Sequence, residues 1–245
     1  MPADLFSFIK TGHASKVKEL IDEVQAFYGD ITLSYSADKY SRFIRDLDSS
    51  GGTLRAKGII ILANSNDRES ALIHELLHLR VALRHKAYAF YFDGNYNADF
   101  VSLVQNVIEH ELIIHDFLEL GYPKKKFLAD SYNPIDYKRE KLLNEPPSYW
   151  EHEYLRLTSN LLVIDEKEVD GCRKQLTKVR EIAIKKYPNI GERLQQIRAW
   201  RESGRFHDMA RYPKEVADLL VLFKHPAPKK ILSPDGAGGL IEVKL

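Results

Sequence analysis

The segment that most restricts what this chain can fold into runs from residue 71 to 79, where His74, Glu75 and His78 interrupt an otherwise apolar stretch. Leu72, Leu76, Leu79 and Leu83 recur at helical spacing, which predicts a helix with one buried face. Two imidazoles and a carboxylate within such a helix need partners, because a buried polar group left unsatisfied costs about 1–3 kcal/mol. Residues four apart on a helix carry Cβ atoms about 5–6 Å apart on one face. Two imidazoles at that separation can share one metal ion at about 2.0–2.1 Å each. Glu75 follows the first histidine by one position, where its carboxylate fits poorly into the same coordination sphere but reaches water activated by the metal.

The surroundings of this helix can be read the same way. Val17, Leu20, Ile21, Val24 and Phe27 form one stripe of a helix over residues 14–28, broken by Gly29 and Asp30. Residues 31–35 alternate as a half-buried strand does, and residues 48–52 are polar and glycine-rich, as in a loop. Gly58, Ile59, Ile60, Ile61 and Leu62 form a β-branched run expected to be a more buried strand. Asn66 with Glu69 three residues later approaches a capping box for the helix that follows. Residues 88–96 are aromatic and irregular, with a turn expected at Asp93, Gly94 and Asn95. A second strong helix is expected from about Asp99 to Leu120, stopped by Gly121 and Pro123. Helices dominate again from about residue 150 to 223. Beyond Pro226, prolines and glycines suggest a flexible tail or an extended clamp, ending in a strand-like run from Leu240 to Leu245. The expected organisation is a catalytic and metal-binding unit over residues 1–130, a helical region over 131–225 and a tail over 226–245.

A strand, a short loop and a helix carrying His74, Glu75, Leu76, Leu77 and His78 resemble the strand-to-active-site-helix unit of the zincin metallopeptidases, over roughly residues 55–120. The resemblance implies an α+β fold, predominantly helical, with a small sheet preceding the HExxH helix. It implies Zn2+ as cofactor, held by His74 and His78, and Glu75 as general base, with a protein or peptide substrate extended along the preceding strand. The motif lacks the downstream glycine and third histidine of the extended forms: His78 is followed by Leu79, Arg80, Val81, Ala82 and Leu83, and His85 has no glycine turn before it. The chain is therefore similar to the gluzincin-like branch, whose third ligand comes from a later helix.

That second helix offers Glu109, His110 and Glu111. Relatives favour glutamate. The helical wheel complicates the choice: Phe100, Leu103, Val104, Val107, Ile114 and Leu118 define the expected buried arc, His110 and Asn106 share one margin, and Glu109 falls on the more polar side. Glu111 points into the arc, with His115 one turn on as a partner. The Glu109–His110 pair is expected to supply the ligand, and the member not bound, with Asn106, to orient a ligand imidazole. His115 is expected to be a hydrogen-bonded helix-face residue.

Composition sets the remaining bounds. With 44% hydrophobic and 29% charged residues over 245 positions, the chain is an ordinary globular protein with enough length for a core. The formal net charge of +1 gives no global pull toward nucleic acid, and the lysines at 124–126 and 185–186 are expected to be solvated surface. A single cysteine, Cys172, excludes an internal disulfide and is expected to be a bland thiol. No apolar run reaches the roughly 18 residues that span a bilayer, and the first residues lack a secretory pattern, so a cytoplasmic location is expected. Tyr132, Tyr137, His152, His207 and Tyr212 qualify by type alone as donors to a developing oxyanion, and spacing does not separate them. A competing expectation is a non-catalytic zincin-like module that binds or regulates through its helical C-terminal half.

Overall fold

The computed structural model describes residues 5–9, 14–34, 59–61, 68–85, 89–93, 97–127, 145–163, 166–203, 211–234 and 240–243. The architecture is mostly helical, with seven α-helices and two small sheets among these residues. Helix α1 (Ala14–Tyr28) leads to β1 (Thr32–Ser34), which pairs in parallel with β2 (Ile59–Ile61) in the register Thr32 to Ile59. The HExxH helix is α2 (Arg68–His85), followed by β3 (Ala89–Tyr91) and the long α3 (Ala98–Glu119). Helices α4 (Pro147–Val163), α5 (Glu166–Lys186), α6 (Ile190–Glu202) and α7 (Tyr212–Leu222) complete the helical part. Strands β4 (Lys230–Pro234) and β5 (Leu240–Val243) form an antiparallel hairpin, and β4 also pairs with β3 in the register Phe90 to Ile231.

Of the strands expected at 31–35 and 58–62, Thr32–Ser34 and Ile59–Ile61 are therefore present as a pair preceding α2. Within the segment after Pro226, β4 and β5 pair with each other, and β4 pairs with β3 just beyond the HExxH helix.

Helix α2 is buried round most of its circumference. Leu72, Ile73, Leu76 and Leu77 have no exposed surface, and α2 packs between α1 and α3. Burying a leucine or isoleucine side chain contributes about 1.5–3 kcal/mol, so this helix is held by packing on two sides. Helix α3 has an equally crowded setting, with α2 on one side and α4 and α7 on others. The side-chain oxygen of Asn97 caps its first turn by accepting from the Phe100 N–H at 3.1 Å. Its other end closes where Gly121 adopts φ +93, which lets the Tyr122 N–H reach back to the Phe117 carbonyl at 3.3 Å. Tyr122 then donates to Glu69 at 2.9 Å, tying the end of α3 to the start of α2. Asn66, the other half of the expected capping box, lies outside the described residues, as do the expected loop at 48–52 and Gly94 and Asn95 of the expected turn.

Two stripe assignments need correction. Phe27 and Leu118 are each 40% exposed, because the neighbouring helices cover only part of the arc that spacing alone assigns to the core. Cys172 is buried, and its thiol donates to the Leu157 carbonyl at 3.4 Å, as a packed thiol does. Among the described residues no helix is long and apolar enough to cross a membrane.

Candidate metal centre

Helices α2 and α3 bring three histidines together. His74 and His78 lie one turn apart on α2, and His110 enters from α3. Each offers one ring nitrogen to a group whose nitrogens all lie within 4.8 Å of one another. The Nε2 atoms of His74 and His78 are 3.0 Å apart. Ring centroids are 4.8 Å apart for His74 and His78, 5.0 Å for His74 and His110, and 5.2 Å for His78 and His110. Nitrogens bound to one zinc at about 2.0–2.1 Å in tetrahedral geometry sit about 3.3 Å apart, so small ring movements bring this set to coordination distance.

Phe127 closes one side of the cluster, packing on His74 at 4.7 Å and on His110 at 5.4 Å between ring centroids. Burial, and repulsion from His78 and then His110, hold His74 well below the ordinary imidazole range; the Phe127 backbone pulls the other way without closing a hydrogen bond of good geometry on Nδ1. The favoured form of His74 is thus the neutral one, which is the form that binds a metal.

His78 is the second donor whose surroundings suit a metal. Its Nδ1 lies 2.5 Å from Glu109 Oε2, and Glu109 is fully buried. A carboxylate accepts, so Nδ1 donates the proton, and in the neutral imidazole this leaves the Nε2 lone pair on the side of His74. Three imidazoles, one of them locked in the ligating tautomer and one held neutral, can hold a metal ion.

Of the pair on α3, His110 is the residue whose ring nitrogen joins the group, while Glu109 meets the opposite nitrogen of the His78 ring. The expectation that Glu109 occupies the more polar side of α3 is corrected, because the residue has no exposed surface and Tyr212 of α7 meets its carboxylate. Glu111 is also buried, and its partner is Arg201 from α6 at 3.0 Å, not His115, which is exposed. Asn106 is exposed on α3, and Glu75 is half-buried on α2 directly after His74.

The candidate oxyanion donors separate as well. The Tyr212 hydroxyl donates to Glu109 Oε1 and the residue is fully buried. His152 stacks on Phe100 with ring centroids 4.1 Å apart, in an aromatic group with Phe223 and His225. Tyr132, Tyr137 and His207, and the side chain of His85, lie outside the described residues. Tyr212 is the site residue that spacing could not single out: it is 103 positions from Glu109, and no local pattern signals the contact.

The geometry makes a direct prediction. Structural zinc with four ligands is bound by about 10–16 kcal/mol, roughly 3 kcal/mol per ligand, so if the three histidines hold added zinc, His110→Ala is expected to weaken its binding by about 100-fold. Competition with a chromophoric chelator measures this, and an unchanged affinity would remove His110 from the ligand set.

Comparison with protein-family models, with curated proteins and with solved structures finds no match to this chain.

Proposed function

We propose that this protein is a zinc-dependent metallopeptidase of the zincin type. The observation that carries the proposal is the arrival of His110, from a separate helix, at the two histidines of the His74–His78 turn, with Glu75 beside them in sequence. His74, His78 and His110 would hold the ion, leaving one position open as catalytic sites do. Zinc bound there would supply Lewis acidity, for polarising a peptide carbonyl and for acidifying water. The chain's own residues do the rest. Glu75 takes a proton from the attacking water and passes it to the leaving amine. Glu109 holds His78 in its ligating tautomer. Phe127 keeps solvent from one side of the imidazoles.

The test begins with purified protein. Metal analysis is expected to find one zinc per chain. Hydrolysis of a mixed peptide library is expected to stop on treatment with 1,10-phenanthroline and to return on adding zinc. Cleavage that persists in metal-free protein would refute the proposal. Zinc bound with no cleavage of any peptide would instead favour a binding module.

A further inference from the structure

We propose that Tyr212 is a positioning residue for the metal centre, and that through it helix α7 sets how well His78 holds the ion. This rests on the reading that His74, His78 and His110 form a metal site. The contacts run in one line. The Tyr212 hydroxyl donates to Glu109 Oε1, and Glu109 Oε2 accepts from His78 Nδ1 at 2.5 Å. His78 Nε2 then lies 3.0 Å from His74 Nε2 within the histidine group.

Every link of this line except the last ring is out of solvent. Tyr212 and Glu109 have no exposed surface and His78 has 6%. A carboxylate with no water around it takes its orientation from its donors. If Tyr212 did not hold Oε1, the carboxylate could turn about its terminal torsion, which is a broad well. The Nδ1 proton of His78 would then lose its fixed acceptor, and the imidazole could exchange tautomers and present N–H in place of a lone pair to the metal.

The placement of Tyr212 is itself rigid. It is the first residue of α7, Pro213 follows it in the first turn, and Val216, Leu219 and Leu220 are fully buried behind it. A phenylalanine would fill the same pocket. What the hydroxyl adds is the hydrogen bond to Glu109, which also removes it from the candidates for binding a substrate oxyanion.

The experiment is Tyr212→Phe with two readouts that packing alone would not move. Zinc affinity by chelator competition is expected to fall by about 10-fold, the lower end of what outer-shell partners of a ligand contribute. In metal-free protein, long-range proton–nitrogen NMR is expected to show His78 as the Nδ1–H tautomer in the parent and as a tautomer mixture in the variant. Parent-like affinity with a parent-like His78 tautomer would overturn the role of Tyr212 while leaving the metal site intact. A parent chain that binds no zinc would sink the metal site itself, which is a different result. Should Tyr212→Phe fail to fold, the coupling can be read in the parent, because linkage is reciprocal. Adding zinc must then shift the Tyr212 hydroxyl proton resonance, and an unmoved resonance would overturn the proposal.

Discussion

Glu75→Gln is expected to lower peptide turnover by about 10²–10⁴-fold while zinc content stays at one per chain. Glutamine keeps the size and the polar contacts of the side chain but has no basic oxygen to receive a proton. The metal should remain because Glu75 is outside the histidine group, and its place one residue after His74 turns it about 100° round α2 from that ligand. Turnover of a library-derived peptide and metal analysis on the same sample separate the outcomes. A variant that keeps more than about a tenth of parental turnover would mean that another group serves as base. Loss of zinc together with loss of turnover would mean that Glu75 helps to hold the ion. A clean result also has a signature in pH: the limb of the rate profile set by the base should vanish in the variant, whereas the limb set by ligand protonation should stay.

What could be read from residues alone follows the range of the forces involved. The pairing of His74 with His78 depends only on helical pitch, so local spacing was enough to place both on one face. Strand β1 was legible from apolar–polar alternation and β2 from its β-branched run, because both patterns are local. The choice between Glu109 and His110 was not legible, since consecutive residues on a helix differ by a rotation whose meaning depends on what packs around it. In this chain α3 is enclosed on several sides, so Glu109, placed on a polar face by the wheel, became the most buried acid of the site. Glu111 met Arg201 rather than His115 for the same reason: the partner comes from α6, 90 residues onward, and no period in the sequence points to it. The strand β3 was hidden within an aromatic segment because its partner β4 lies more than a hundred residues away. Tyr212 belongs with these cases. Its residue type suggested a donor, and only the packing of α7 on α3 reveals that the acceptor is Glu109.

The Glu111–Arg201 pair supports the other large effect. Arg201→Met is expected to cost more at pH 8.5 than at pH 5 in metal-free protein, by up to about 1 kcal/mol, because a Glu111 carboxyl held at about 8 has only begun to ionise at pH 8.5. The two side chains are 1% and 11% exposed, with Arg201 Nε 3.0 Å from Glu111 Oε1. Burial pushes the Glu111 carboxyl up to about 8, and the Arg201 guanidinium only partly offsets this. Because the folded value lies above the unfolded one, the folded chain holds this proton more tightly. The stability it contributes is present below about pH 4.5 and is lost as pH rises toward 8. Above that, the carboxylate must ionise inside the core, where Arg201 is its charge partner. Removing the guanidinium pushes the Glu111 carboxyl higher still, so at pH 8.5 the variant's acid takes up a proton, whereas at pH 5 the acid is neutral with or without Arg201 and the variant also sheds a buried cation. Glu111→Gln, which resembles the protonated acid in shape and charge, should flatten the pH slope that the parent shows between pH 5 and 8.5. In the double variant the effect of Arg201→Met should no longer depend on pH. Urea unfolding of the four proteins at the two pH values measures all of this. An Arg201→Met cost that is equal at both pH values would show that the pair is held by packing, with its charges making no net contribution.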